Sequence, residues 1–139
     1  MHYRWISIAT VALGVFFLAR AGIAGEKKLM HCFAFTPIED VSESDWEDFY
    51  KATDELPKKI DGFNKVWYGE LRRPMHLYYK MGGEEPHYEQ RVRSWAVCME
   101  MEDLIALEQY ADHPAHREWE EAYFKVRQRG TTTFDILGQ

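Results

Sequence analysis

The sequence predicts one α+β domain whose elements follow the order β-α-β-β-α-β. Three observations lead to this class. The 139 residues suit a single domain, because compact domains usually contain ~100–150 residues. A hydrophobic fraction of 46% supplies enough apolar side chains for a folded core. Short apolar or alternating runs, bounded by Gly, Pro and Asp, flank two stretches with the three- and four-residue spacing of helices.

The first strand and helix are predicted from an apolar run and the amphipathic segment that follows it. Residues 29–36 (LMHCFAFT) are apolar and aromatic, which is typical of a strand. Residues 42–56 repeat large apolar side chains at helical spacing. Ser44 and Glu47 have the spacing of a capping box, and we expect Pro57 to stop this helix.

The middle of the chain predicts two strands separated by a long excursion. Residues 63–68 alternate in the manner of a strand that closes at Gly69, and residues 94–101 (SWAVCMEM) form the third strand. Residues 70–92 contain Arg-Pro and Gly-Gly breaks, so we interpret them as an irregular connection with room for a short hairpin. This excursion is either a mobile flap or, as we prefer, a lid over a cavity.

The last third predicts a helix in two parts and a final strand. Residues 102–111 have one apolar face, and Pro114 interrupts this helix but can open a new one that ends at Gly130. Residues 131–137 (TTTFDIL) are rich in residues that favour strands. The complete order is the split βαβ pattern of ferredoxin-like folds.

A four-stranded sheet with helices on one side leaves its other face uncovered. Strand alternation leads us to expect His31, Phe33 and Phe35 on that open face, where a homodimer would cover them. Cys32 would then face the helices. If Val97 and Met99 also face the helices, Cys98 faces the open side, so the two cysteines lie on opposite faces and we predict two free thiols.

Charge and histidine spacing exclude several kinds of ligand. The formal charge is −6 and no long run of Lys and Arg occurs, so nucleic acid is not an expected partner. His113 and His116 are three residues apart, but Pro114 lies between them and no third ligand has standard spacing. We predict neither a metal site nor a cofactor, since no phosphate loop or catalytic triad pattern is present.

The N-terminal segment has the pattern of an export signal. Residues 1–24 combine a positive start at Arg4, a 14-residue apolar run and small residues before a cleavage point after Ala24. An uncleaved anchor is the alternative, but Arg20 ends the run before the ~20 residues needed to span a bilayer. We therefore expect residues 25–139 to be a periplasmic or secreted domain without a membrane anchor.

One motif resembles a known family. Residues 110–116 (YADHPAH) fit the Tyr-x-x-His-Pro-x-His signature of the stress-response A/B barrel (Dabb) domains, at the joint of the second helix. His31 before an apolar run, the turn at residues 60–63 and the aromatic-Gly end at residues 67–69 are also similar, although an aspartate replaces the usual proline of that turn. The resemblance covers residues 29–137.

The resemblance implies a homodimeric α/β barrel with a cavity in each subunit. It implies that His31, Phe33, Tyr110, His113 and His116 line this cavity and bind a small organic ligand. In a plant polyketide cyclase of similar fold, the positions of Tyr110 and His116 act as acid and base. His116 would then remove a proton next to a carbonyl while Tyr110 orients it. Alternatively, His116 is structural and satisfies backbone groups at the helix break.

The sequence thus leaves several functions open. The favoured one is an exported barrel protein that binds or processes a small organic molecule. The alternatives are an acid/base enzyme similar to a polyketide cyclase and a purely structural, stress-related oligomer. A heme-degrading monooxygenase of the same architecture is disfavoured, because only the Dabb motif is visible.

Overall fold

The structure is a computed structural model that describes residues 28–85 and 87–138, so the predicted signal at residues 1–24 lies outside it. Its elements follow the predicted order, with the second helix divided in two. They are β1 (Leu29–Phe35), α1 (Glu43–Lys59), β2 (Phe63–Met81), β3 (His87–Met101), α2 (Leu104–Asp112), α3 (Pro114–Val126) and β4 (Thr132–Leu137).

The four strands form one antiparallel sheet in the order β2-β3-β1-β4. The two central strands, β1 and β3, are therefore neighbours although α1 and β2 separate them in the chain. The helices cover one side of the sheet, which confirms the predicted α+β class and the split βαβ arrangement. None of the helices in the described part of the chain is long and apolar enough to cross a membrane.

Aromatic side chains from β1 and the helices form the centre of the core. The Phe33 ring lies 5.6 Å from that of Trp119 and 5.3 Å from that of Tyr123, both on α3. Phe35 packs edge-on against Tyr123 at 5.2 Å and against Phe49 of α1 at 6.1 Å. These distances are typical of favourable aromatic pairs. Phe33 and Phe35 thus join β1 to the helix layer.

These contacts show that the predicted orientation of β1 is wrong. His31, Phe33 and Phe35 point toward the helices and not toward the open face of the sheet. The strand Leu29–Phe35 is apolar on both faces, so the alternation of residue types could not decide which face is covered. The open face instead carries Cys32 and Ala34, together with side chains from the other three strands.

The prediction of two free thiols is wrong for the same reason. Cys32 and Cys98 are paired directly across β1 and β3, with their Cα atoms 4.2 Å apart, and they form a disulfide. Residues directly opposite each other in an antiparallel pair project from the same face of the sheet. Both cysteines lie on the open face, where they are close enough to form the bridge.

Helix α1 differs from the prediction at both ends. Its N-cap is Ser42 and not Ser44, because the Ser42 hydroxyl accepts a hydrogen bond from the Asp45 backbone N–H at 3.1 Å. Pro57 does not stop the helix, which continues to Lys59. Pro57 removes one backbone donor, but the next turn still closes with the Ile60 N–H donating to the Leu56 carbonyl.

Residues 70–81 and 87–92 are strand and not an irregular excursion. Beyond a bulge between Glu70 and Met75, β2 and β3 stay paired up to Met81 and His87. The pairing makes a long two-stranded arm that ends in a Gly-Gly turn. Tyr78 and Tyr88 near its end are 65% and 68% exposed. The Arg-Pro and Gly-Gly breaks that suggested a loop correspond to the bulge and the turn of one hairpin.

Candidate functional site

Four polar side chains meet where the joint between α2 and α3 approaches β1 and β4. His31, Tyr110, His116 and Asp135 make up this histidine–tyrosine cluster. The ring centroids of Tyr110 and His116 are 4.2 Å apart, and those of His31 and Tyr110 are 6.1 Å apart. The structure therefore brings together three of the predicted site residues, His31, Tyr110 and His116, and adds Asp135 to them.

The break between α2 and α3 places two of these residues. His113 is the N-cap of α3, since its Nδ1 accepts a hydrogen bond from the Ala115 backbone N–H at 3.1 Å. The His113 backbone N–H donates to the Tyr110 carbonyl and closes α2. Pro114 occupies the first turn of α3, where its missing donor is not needed. Tyr110 at the end of one helix thus faces His116 at the start of the next.

His116 has one ring nitrogen occupied and one available. Its Nδ1 lies 3.1 Å from the Ala111 carbonyl oxygen. A carbonyl only accepts, so Nδ1 carries the proton and donates, which leaves the lone pair of the neutral ring on Nε2. Nε2 is 4.0 Å from a Glu120 carboxylate oxygen, and the side chain is 17% exposed. The ring can satisfy a helix-end carbonyl and still act as a base through Nε2.

Tyr110 presents a neutral phenol to the cluster. The residue is only 3% exposed, and its hydroxyl has no hydrogen-bond partner among residues 28–85 and 87–138. Burial, followed by the nearby Glu120 charge, raises the pKa of the phenol above its ordinary value. Its contact with His116 is ring packing and not a hydrogen bond. Tyr110 is therefore a hydrogen-bond donor without an acceptor in the described chain.

His31 has an acidic partner that the sequence did not reveal. Its Nδ1 lies 2.6 Å from a carboxylate oxygen of Asp135, the residue opposite it in the β1–β4 pairing. The carboxylate favours a proton on Nδ1 and leaves Nε2 free to accept. Asp135 is 45% exposed and His31 17% exposed. The pair lies at the edge strand of the sheet, from which a ligand can approach.

Two acidic neighbours of the site were missed by sequence reasoning. Asp135 could have been found only from the register of β4 against β1, which strand patterns do not define. Glu120 follows His116 by four residues on α3, and this spacing places the two on one side of a helix. That spacing was the available signal.

The other two predicted site residues, Phe33 and His113, lie around the cluster. Phe33 is buried beside His31, with 6.1 Å between the ring centroids, and forms an apolar wall. His113 is the helix cap and also borders a separate cleft of about 360 Å³ between the end of α1 and the α2–α3 joint. Within the described part of the chain, no three His, Cys, Asp or Glu side chains are grouped to hold a metal ion.

Comparison with known proteins adds information on the fold. No protein-family model and no curated protein matches the sequence. Solved structures do match over most of the chain. A dimeric protein of unknown function from Bacteroides fragilis with a ferredoxin-like fold is 20% identical, with a TM-score of 0.55, and the match covers 79% of this chain and 95% of that one.

Two further structures carry a family or an activity in their names. A Dabb family protein with a ferredoxin-like fold from Mesorhizobium loti is 15% identical, with a TM-score of 0.56 and coverage of 82% of this chain and 99% of its own. A hydroxynitrile lyase from Passiflora edulis is 8% identical, with a TM-score of 0.57 and coverage of 81% and 94%. At these identities the likeness shows the fold. The chain has the ferredoxin-like fold of a group that includes a Dabb protein.

Proposed function

We propose that this chain is an exported, Dabb-type protein that acts as a homodimer and binds or processes a small organic molecule at the histidine–tyrosine cluster. One observation carries the proposal. The Tyr110 and His116 rings pack with their centroids 4.2 Å apart, so one cluster contains both the Tyr110 hydroxyl, which has no partner in the described chain, and the available Nε2 of His116. A phenol donor without an acceptor, in a cluster with a base, is suited to a ligand that supplies an acceptor and a proton.

The cluster fits acid/base chemistry on a carbonyl compound. His116 Nε2 would take a proton from the carbon next to the carbonyl, and the electron pair of the broken C–H bond would move to the carbonyl oxygen as an enolate. The neutral Tyr110 O–H would donate to that oxygen and stabilise its charge. His31, held by Asp135, would bind or orient a second polar group of the ligand.

The solved structures support small-molecule chemistry without identifying the reaction. One of the fold neighbours is a hydroxynitrile lyase. The fold therefore accommodates an enzyme of small organic compounds in at least one other protein, while fold alone does not transfer the activity.

The homodimer is supported by the open face of the sheet. Trp67, Phe134 and Ile136 project from this face and are 42%, 40% and 54% exposed. Exposed apolar side chains grouped on one sheet face favour an interface. The ferredoxin-like neighbour from Bacteroides fragilis is dimeric, and a symmetric pair of such sheets would cover both open faces.

Export is supported by two independent features. The sequence of residues 1–24 has the pattern of a cleaved signal. The Cys32–Cys98 disulfide suits a periplasmic or extracellular domain, because structural disulfides persist in oxidising compartments.

Proton exchange tests the proposal and separates its alternatives. The purified protein is incubated in D₂O with acetophenone and longer alkyl phenyl ketones, and exchange of the protons next to the carbonyl is followed by ¹H NMR. Catalysed exchange supports the acid/base reading. Saturable ligand shifts without exchange support a binding protein. If no ketone shows either exchange or binding, both small-molecule hypotheses are contradicted for ketones and the structural oligomer is favoured.

Two conservative variants test whether proton exchange takes place at the histidine–tyrosine cluster. Tyr110→Phe removes only the hydroxyl. In His116→Asn, the amide N–H can still donate to the Ala111 carbonyl, but no base remains at the Nε2 position. We expect both to lose exchange by about 100-fold or more and to keep their melting temperatures within a few degrees. Unchanged exchange in both variants would remove the cluster from the reaction.

A further inference from the structure

A second site lies at the other end of β1. A cleft of about 820 Å³ opens between β3 and the connection from α3 to β4. We call it the arginine cleft, since its lining includes three arginines. Its residues are Thr36, 89–93 and 128–130. Thr36 is five residues from His31, a separation of about 17 Å along an extended chain, so this cleft is distinct from the histidine–tyrosine cluster.

Arg93 is a buried charge without an acidic partner. The residue is 3% exposed. Its Nη1 donates to the Thr36 hydroxyl at 3.1 Å and its Nε donates to the Thr132 hydroxyl at 3.4 Å. No carboxylate among the described residues pairs with it. Arginine is almost never buried this far unless it is paired, because removing a charge from water is costly. The two threonines hold the guanidinium plane in place but do not neutralise it.

A second guanidinium approaches the same point. A Cβ atom built on Gly130 would lie 3.3 Å from Nη2 of Arg93 and 3.6 Å from Nη1 of Arg91. Gly130 has φ of +95°, which glycine adopts without strain, and its missing side chain leaves room in front of both groups. Two like charges therefore converge on one open space.

The remaining charges in the cleft do not balance these arginines. Arg129 lines the cleft and has no hydrogen-bond or ion-pair partner within residues 28–85 and 87–138. Glu89 pairs with Arg91 at 3.0 Å, but both side chains are more than 40% exposed, and such surface pairs are weak. The cleft is thus locally positive in a chain whose formal charge is −6.

We propose that the arginine cleft binds a small molecule through a carboxylate or phosphate group. Guanidinium groups form two parallel hydrogen bonds with planar or tetrahedral oxyanions, and this pairing is strongest where water is excluded. The buried Arg93 provides a fixed fork, Arg91 and Arg129 add charge from the rim, and the bare Gly130 backbone leaves space for the anion. A bound oxyanion would neutralise Arg93 and offset the repulsion between Arg93 and Arg91.

Calorimetric titration of the full chain with inorganic phosphate, and separately with acetate, tests the site at constant ionic strength kept with chloride. We expect saturable binding of at least one oxyanion. Phosphate binding alone would assign the site to phosphate-bearing ligands and acetate binding alone to carboxylates. Each of these results supports the site. Heats no different from those of added chloride would overturn it.

Variants at the rim test the site without changing the buried Arg93, whose replacement would also affect folding. We expect Arg91→Gln and Arg129→Gln each to weaken oxyanion binding about tenfold, the effect of losing one hydrogen bond to a charged group. Glu89→Gln should strengthen binding about threefold, because it releases Arg91 from a surface ion pair. The matched control is Arg72→Gln, an exposed arginine at the β2 bulge. Equal affinities in the rim variants and this control would overturn the proposal.

Discussion

The His31 imidazole is hydrogen-bonded to the Asp135 carboxylate across the pairing of β1 with β4, with 2.6 Å between Nδ1 and Oδ1. This contact joins a central strand to an edge strand within the histidine–tyrosine cluster. It leaves Nε2 as the accepting nitrogen of His31, since a carboxylate accepts only from a protonated nitrogen. The edge strand β4 is thereby part of the site and not only of the sheet.

Asp135→Asn should impair the site with little effect on stability. The amide cannot hold His31 in one tautomer as a carboxylate does, so we expect ligand binding or ketone exchange to fall about tenfold or more. Asp135 is 45% exposed, so the free energy of unfolding should change by less than about 1 kcal/mol. Long-range ¹⁵N–¹H NMR correlations report the His31 tautomer, and urea unfolding reports the stability.

The control for this change is Asp48→Asn, an exposed carboxylate on α1 that pairs with Lys125 at 3.5 Å. It should leave both the tautomer of His31 and ligand binding unchanged. An Asp135→Asn protein with the same tautomer signals and the same binding as the parent would show that the contact is dispensable.

Removal of the disulfide should destabilise the domain strongly. Cys32 and Cys98 are 66 residues apart in the chain, and cross-linking a loop of this length lowers the entropy of the unfolded state by an amount worth about 4 kcal/mol. We expect the double variant Cys32→Ala, Cys98→Ala to lose about 2–5 kcal/mol in urea unfolding.

The bridge itself is checked by alkylation under denaturing conditions. Without reductant the oxidised protein should take up no alkyl group, and after reduction it should take up two. Two additions before reduction in protein purified from an oxidising compartment would mean that the bridge does not form.

Alkaline pH should destabilise the fold in part through Tyr68. Burial, and then its hydrogen bond to Asp54 at 2.9 Å, raise the pKa of this phenol from 10.0 to about 12. Between these two values the unfolded chain loses the proton while the folded chain keeps it. The contribution of Tyr68 is therefore complete below pH 10 and is lost as the pH rises toward 12.

The melting temperature measured from pH 9 to 11.5 should fall less steeply in Tyr68→Phe than in the parent protein. Tyr88→Phe is the matched control, because this tyrosine is 68% exposed on the β2–β3 arm. Parallel curves for all three proteins would assign the alkaline loss to other groups.

A charge on the open face should separate the proposed dimer. Ile136 is 54% exposed on that face, and Ile136→Lys would require an ammonium group to be buried in the interface. We expect sedimentation velocity to show a monomer for this variant and a dimer for the parent. Ile105→Lys on α2, which replaces a residue 56% exposed, should remain dimeric. A parent protein that sediments as a monomer would contradict the homodimer.

The sequence predicted the element order because local signals define it. Turn residues and helical spacing located the strands and helices, and Pro114 marked the division of the second helix. The faces of β1 were not predictable, since Leu29–Phe35 is apolar on both sides. That ambiguity alone produced the errors about Phe33 and about the cysteines, because one residue of register exchanges every side chain between the two faces.

Only the part of the candidate site that lies in one continuous segment of the chain was predictable from the sequence. Tyr110 and His116 belong to one continuous motif, and His31 was proposed beside them from the resemblance. The partner of His31 was not predictable, because Asp135 becomes its neighbour only through the pairing of the first strand with the last. Arg93 was missed for a similar reason, since its burial depends on the position of the α3–β4 connection.

The disulfide divides the chain into a closed loop and a free tail. Residues 33–97 lie inside the covalent loop, while α2, α3 and β4 follow it. Tyr110, His116 and Asp135 all belong to this tail, and only His31 is next to a bridged residue. Subglobal opening of the tail therefore has no covalent restraint, whereas α1, β2 and β3 remain tied together. Hydrogen exchange should show earlier opening of α2, α3 and β4, so that mild denaturant disperses the site while the tied loop keeps its structure.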